Sequence, residues 1–168
     1  VNTSPQVVVA AVEGYAIAGG FGILCVSDVA ICTEEAGFAM SETAIGIVPA
    51  QIAPFVAARI GVPQTRHLTL TAARFKGPEA HRLGIAHYLV KDSAALDAKL
   101  EELLKQIDRC APIANALTKQ VVMKVGTEPL SQVLDFAADK FAQARRGPEA
   151  SEGLRAFAEK RPPRWAVE

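Results

Sequence analysis

"QVVVAAVEGYAIAGGFG", Gln6 to Gly22, sets a continuous apolar, β-branched run against four glycines. A run such as Gln6–Val12 has the pattern of a strand buried on both faces. Glycine costs backbone entropy, so a cluster of them serves a close backbone approach or a positive φ. Two readings follow. Either the stretch packs tightly, or it cradles something negative with backbone N–H groups at a helix N-terminus. Two nucleotide motifs are excluded by register: no G-x-G-x-x-G is present, and Gly14 and Gly19 have phosphate-loop spacing but are followed by Gly20 and Phe21. On spacing alone both readings stay open.

Working outward, "GGFGILCVSDVAICT" starts as a helix near Gly20 and returns to a strand at "DVAICT". "EEAGF" reads as a turn and "FAM" as a short extended piece. "APFVAARIG" and "PQTRHLTLTAARF" are helical in pattern, punctuated by Gly61 and Pro63. "GPEAHRLG" is a short helix opened by Pro78 and closed at Gly84, and "IAHYLV" is a strand. "DSAALDAKLEELLKQIDRC" carries Leu96, Leu100, Leu103, Leu104 and Ile107 on one helical stripe. Pro112 opens a helix ending at Gly126, Pro129 opens another reaching about Arg146, and "PEASEGLRAFAEKR" is a last short helix. The layout is α/β over residues 1–92 and helical over residues 93–168.

With 168 residues, half of them apolar, the chain has room for a real core. Eighteen basic residues balance eighteen acidic ones, which argues against nucleic acid or an anionic membrane as partner. The uncharged run Gly14–Ser27 is too short and too rich in glycine to span a bilayer, and no signal peptide is expected. Cys25, Cys32 and Cys110 are odd in number and lack metal-ligand spacing, so buried free thiols in a reducing, cytoplasmic setting are expected. His67, His81 and His87 show no ligand pattern either, and no metal is expected.

"FAMSETAIGIVPA", Phe38–Ala50, places one acid, Glu42, in a stretch otherwise apolar or small. That carboxylate is either exposed in a turn, or partly buried and available as a general acid/base. Taken together with the glycines, the stretch from Val8 to Ala50 resembles the crotonase superfamily, the enoyl-CoA hydratases and isomerases. Its pattern is "AAVxGxAxGGG", a helix, "CDxxIAxxxAxF", then "xPExxxGxxP". "LTLTAARFKGPEAHRLGIAHYLV" and "EGLRAFAEKRPPRW" resemble the family's downstream segments.

The resemblance implies a spiral of β-β-α units followed by a helical region that builds trimers, often paired into hexamers. It implies an acyl-CoA substrate and no separate cofactor, with Phe157 and Lys160 as coenzyme A contacts. It places an oxyanion-hole N–H at Gly19 and a proton-transferring carboxylate at Glu42. Two departures bear on the reaction. The second glutamate of ordinary hydratases falls on Gly22, which favours an isomerase or an atypical hydratase. "PAQIAPFV", Pro49–Val56, replaces a glycine-rich segment and resembles a subgroup that hydrates branched, carboxylated enoyl-CoAs. The family is also longer, with its other oxyanion donor in an N-terminal half, so this chain is expected to be a fragment, or one piece of a nicked protein whose missing N-terminal segment stays bound. A non-catalytic acyl-CoA-binding module is the alternative to an enzyme.

Overall fold

The computed structural model describes residues 1–166 and divides into two compact units, Val1–Asn2 with Val8–Glu102, and Thr3–Val7 with the chain from Leu103 onward. The first unit is mixed α/β. Its elements in order are β1 (Val9–Val12), β2 (Tyr15–Ile17), α1 (Gly19–Cys25), β3 (Val29–Thr33) and β4 (Gly37–Ala39). A single 3-10 turn, Glu42–Ile45, follows, then α2 (Ala53–Ile60), α3 (Val62–Thr71), β5 (Arg74–Lys76), α4 (Gly77–Arg82) and β6 (Tyr88–Val90).

The strands form two three-stranded sheets, ordered β1-β3-β6 and β2-β4-β5. Every pairing is parallel except β4 with β5. Val9 lies opposite Val29, and Tyr15 opposite Gly37, so β1 to β4 alternate between the sheets.

The strand buried on both faces is β3, not β1. Ala30, Ile31 and Cys32 are fully buried because β3 lies between two neighbours and under helices. β1 starts later than its sequence suggests, at Val9, and each of its residues is half-buried or exposed, because it is an edge strand with β3 on one side alone. Two three-residue strands also correct the sequence reading. Tyr15–Ile17 pairs inside what reads as a glycine turn. Arg74–Lys76 pairs where a helix was expected to run through Phe75. α3 instead stops at Thr71, with Ala72 left-handed at φ 47°.

The core of this unit is built on an aromatic triad. Phe21 meets Phe38 and Phe75 edge-on at centroid distances of 6.5 and 6.2 Å, and Phe38 stacks on Phe75 at 5.7 Å. α1 buries Phe21, Leu24 and Cys25 on one face and leaves Gly19, Gly20 and Ile23 exposed on the other. Burying Phe21 therefore fixes the position of the α1 N-terminus. Arg59 at the end of α2 donates to the carbonyls of Ser27, Gly84 and Ile85, tying three connections together. The N–H of Ala30 donates to Nδ1 of His87 at 2.9 Å, fastening the entry of β6 to β3. Partial burial and the Arg59 charge hold the His87 imidazole below its ordinary pKa.

α5 (Ser93–Asp108) leads from the first unit into the second, which is helical: α6 (Pro112–Val122), α7 (Leu130–Arg146) and α8 (Pro148–Ala158). Glu149 accepts from the N–H groups of Ile113 and Ala114, capping α6, and Glu152 binds Arg155 and Arg161. Trp165 donates through Nε1 to the Arg109 carbonyl at 3.2 Å. No described helix is long and apolar enough to cross a membrane.

Candidate functional site

Gly19 and Glu42, 23 positions apart in sequence, line one cleft of the first unit. Its volume is about 340 Å³, and its other lining residues are Val48, Pro49, Ala50, Gln51 and Ile52. Five of the seven residues carry no polar side-chain atom, so the carboxylate stands in a largely apolar wall.

The approach to Gly19 is set by backbone geometry. Ala18 adopts φ 51°, ψ −121°, a conformation that costs a side-chain-bearing residue about 1–3 kcal/mol. It is held there from both sides: its N–H donates to the Ala39 carbonyl at 3.1 Å, and its own carbonyl accepts from the Gly22 N–H at 3.1 Å. The first internal bond of α1 thus begins at Gly22, and the N–H groups of Gly19, Gly20 and Phe21 precede it, as at any helix start. A Cβ built on Gly19 meets nothing within 4 Å. Close packing within this unit therefore does not explain that glycine. The space on its side-chain side is open.

Glu42 opens the 3-10 turn that follows β4. Its carbonyl accepts from the Ile47 N–H at 3.0 Å, and the Thr43 hydroxyl donates to the Thr69 carbonyl at 2.6 Å, anchoring the turn on α3. Gly46 closes the turn at φ 77°, where glycine is favoured. The carboxylate oxygen Oε2 is buried and has no hydrogen-bond partner among the described residues. A buried polar atom left unpaired costs free energy, more so in a charged group. Of the two sequence readings of Glu42, exposed or partly buried, the structure gives the half-buried one.

The loop completing the cleft is tightly wound. Ala50 donates to the Val48 carbonyl, and Ile52 and Ala53 both donate to that of Pro49, leading directly into α2. Gly22 is buried under this loop. A Cβ there would lie 2.8 Å from the Ile52 Cβ, so the glycine leaves room for Ile52. Sequence reasoning missed this contact, since nothing local to either residue signals it.

Phe157 and Lys160 belong to the second unit. Phe157 is 86% exposed at the end of α8, and Lys160 is exposed with φ 54°. Among the described residues no group of His, Cys, Asp and Glu could hold a metal ion. Cys25 and Cys32 are buried as expected, but Cys110 is exposed, because it follows the end of α5 with no element over it. Burial pushes the Cys25 thiol up to about 12 and Cys32 to about 11.

The sequence profile of the enoyl-CoA hydratase/isomerase family matches residues 1–168. The chain belongs to this family. Among solved structures, the fold matches Pseudomonas aeruginosa AtuE with a TM-score of 0.95 and 53% identity, covering 99% of this chain and 64% of that one. It matches an enoyl-CoA hydratase/isomerase from Marinobacter aquaeolei with a TM-score of 0.95 and 48% identity, covering 99% and 63%. A carnitinyl-CoA dehydratase from Citrobacter koseri is 32% identical over 163 residues, which are 94% of this chain and 62% of that protein. The chain spans less than two thirds of the length of the curated relatives it matches. The expected crotonase-like α/β fold is thereby established.

Proposed function

We propose that this chain carries the proton-transfer half of an acyl-CoA active site of the hydratase/isomerase type. One observation carries the reading: Gly19, at a helix start with open space where a side chain would stand, and a carboxylate with a buried, unpaired oxygen at Glu42 line the same cleft. An enoyl thioester needs those two groups. Its carbonyl oxygen gains negative charge as an enolate forms, and a preorganised N–H donor stabilises that charge. Removing one such donor typically costs about two to three decades in rate. Glu42 delivers or removes the proton at the α carbon, and its unpaired oxygen leaves a lone pair free for the task.

In the hydration direction, a water oxygen bonds to the β carbon, that water loses a proton, and the α carbon gains one. The "PAQIAPFV" segment, through its resemblance to a subgroup acting on branched, carboxylated enoyl-CoAs, supports a branched or carboxylated acyl group. A double-bond isomerase is the second reading, favoured by Gly22, which has no side chain to hold a water; there Glu42 carries one proton between the α and γ carbons. In either case the second oxyanion donor comes from a segment outside this chain. Phe157 and Lys160 contact the coenzyme A portion, and the assembly is a homotrimer or hexamer.

The test is a panel of enoyl-CoAs with the full-length protein, followed by loss of the conjugated thioester absorbance and by product mass. Turnover of at least one enoyl-CoA that vanishes in Glu42→Gln is expected. A panel with no turnover and no thioester binding would overturn the assignment.

A further inference from the structure

Gly22 and Ile52 are thirty positions apart and meet at the wall of the Glu42 cleft. Ile52 performs two jobs there. Its side chain packs on the core cluster through α1, and it lines the cleft. It is held firmly: its N–H donates to the Pro49 carbonyl at 3.2 Å, and its own carbonyl accepts from Phe55 and Val56, each at 3.0 Å. A β-branched side chain on a fixed backbone has few rotamers to choose from. It takes the notch that Gly22 leaves on α1. Gly22 needs no special backbone angle, so its missing Cβ matters for space alone.

We infer that Gly22 is a notch that draws Ile52 back against α1, and that this pair is specificity-determining: it leaves room beside Glu42 for an acyl-CoA with aliphatic bulk near the reacting carbons. The inference rests on the reading of the cleft as an acyl site. The wall at this point is hydrocarbon, so the recognised group is an aliphatic branch and not a charged one. With a Cβ at position 22, the Ile52 side chain has to move, since carbon atoms do not approach to 2.8 Å. The cleft is its open side. The displaced methyl groups would then occupy the space of a branch and spare a straight short chain.

Dissociation constants of two saturated thioesters, isovaleryl-CoA and butyryl-CoA, measured by calorimetry on the full-length protein, test this without depending on the reaction type. They differ by one methyl branch. A methylene's worth of room in an apolar pocket is a matter of about 10- to 200-fold. Gly22→Ala should weaken isovaleryl-CoA relative to butyryl-CoA by about tenfold or more. Adding Ile52→Ala should bring the ratio back to within about threefold of the parent. Ile52→Val, which removes one methyl and leaves the fold intact, should shift the ratio a few-fold the other way, and it stands as the test if Gly22→Ala does not fold. A ratio unchanged in Gly22→Ala and Ile52→Val, with both thioesters still bound, overturns the specificity role while the acyl-site reading survives. If neither thioester binds the parent protein, the acyl-site reading fails and the specificity role falls with it.

Discussion

Replacing Glu42 by glutamine should push activity and stability in opposite directions. The change keeps the side chain's shape and removes its charge and its proton. General acid/base catalysis is worth about 10²- to 10⁴-fold, or about 3–5 kcal/mol of barrier at 1.36 kcal/mol per decade. Turnover in E42Q should fall by that amount. Stability is governed by Oε2, which is buried with no partner among the described residues. An unsatisfied buried polar group costs about 1–3 kcal/mol and a charged one more, so the neutral amide should recover about 1 kcal/mol. For a domain of this size that is about 2–4 °C in Tm. The assay pairs enoyl-CoA turnover with a thermal melt of the same full-length preparation. A damaged fold lowers both readouts, so only the opposed pair supports the reasoning. Turnover within threefold of the parent would show that Glu42 does not carry the proton, and a lowered Tm would show that Oε2 is engaged in a stabilising contact.

Four further outcomes follow from the same structure. Ala18→Gly removes a backbone cost of about 1–3 kcal/mol but adds unfolded-state entropy of about 0.4–1 kcal/mol, so Tm should hold or rise slightly while kcat falls as the Gly19 N–H loses its fixed aim; an unchanged kcat would sever that turn from the chemistry. Gly77→Ala places a Cβ against the Thr33 carbonyl and 3.0 Å from the Leu89 Cδ1, and denaturant melts should show a loss of about 1–3 kcal/mol. A chromogenic disulfide reagent at neutral pH should label Cys110 in the native protein and reach Cys25 and Cys32 only on unfolding, since burial raises both thiols far above neutrality; rapid native labelling of all three would contradict the buried assignment. Hydrogen bonds from Arg161 and Arg155 hold Glu152 down to about 2 from an ordinary 4.5, so its contribution is present above pH 4.5 and is lost as pH falls toward 2. Trp165 fluorescence should follow that loss on acid titration, and Glu152→Gln should flatten the response.

The parts of this molecule that sequence made legible are those with long patterns. "DVAICT" reads as a strand because it is the central one, apolar from Val29 to Cys32. The stripe from Leu96 to Ile107 reads as a helix because its period extends over three turns. β2 and β5 stayed hidden because three residues are too few to show a period, and Arg74–Lys76 is stabilised by pairing with β4 rather than by its own propensity. The strand nature of Val9–Val12 was readable but its burial was not, since edge or centre is decided by sheet order. At the site, Gly19 and Glu42 stand out through the resemblance to family motifs, and their sharing of a cleft is a finding of the fold. The Gly22–Ile52 contact joins residues from separate segments, and neither has a neighbour in sequence that hints at the other.

The interleaved pairing of β1 with β3 and β2 with β4 makes one stretch of chain count twice. A residue inserted between β1 and β2 offsets the first ladder alone, and one inserted between β3 and β4 offsets the second alone. Between Ile17 and Val29 an insertion offsets both, and turns the side chains of β3 against β1 and of β4 against β2 to the wrong face. That stretch holds Ala18, Gly19 and α1. The turn at Ala18 and Gly19 is thus free to vary in the chemistry of its side chains, but its length is locked by two independent rulers. The Val48–Ile52 segment is counted in the same way by the pairing of β3 with β6 and of β4 with β5, so grafts there should be tolerated when they keep its length.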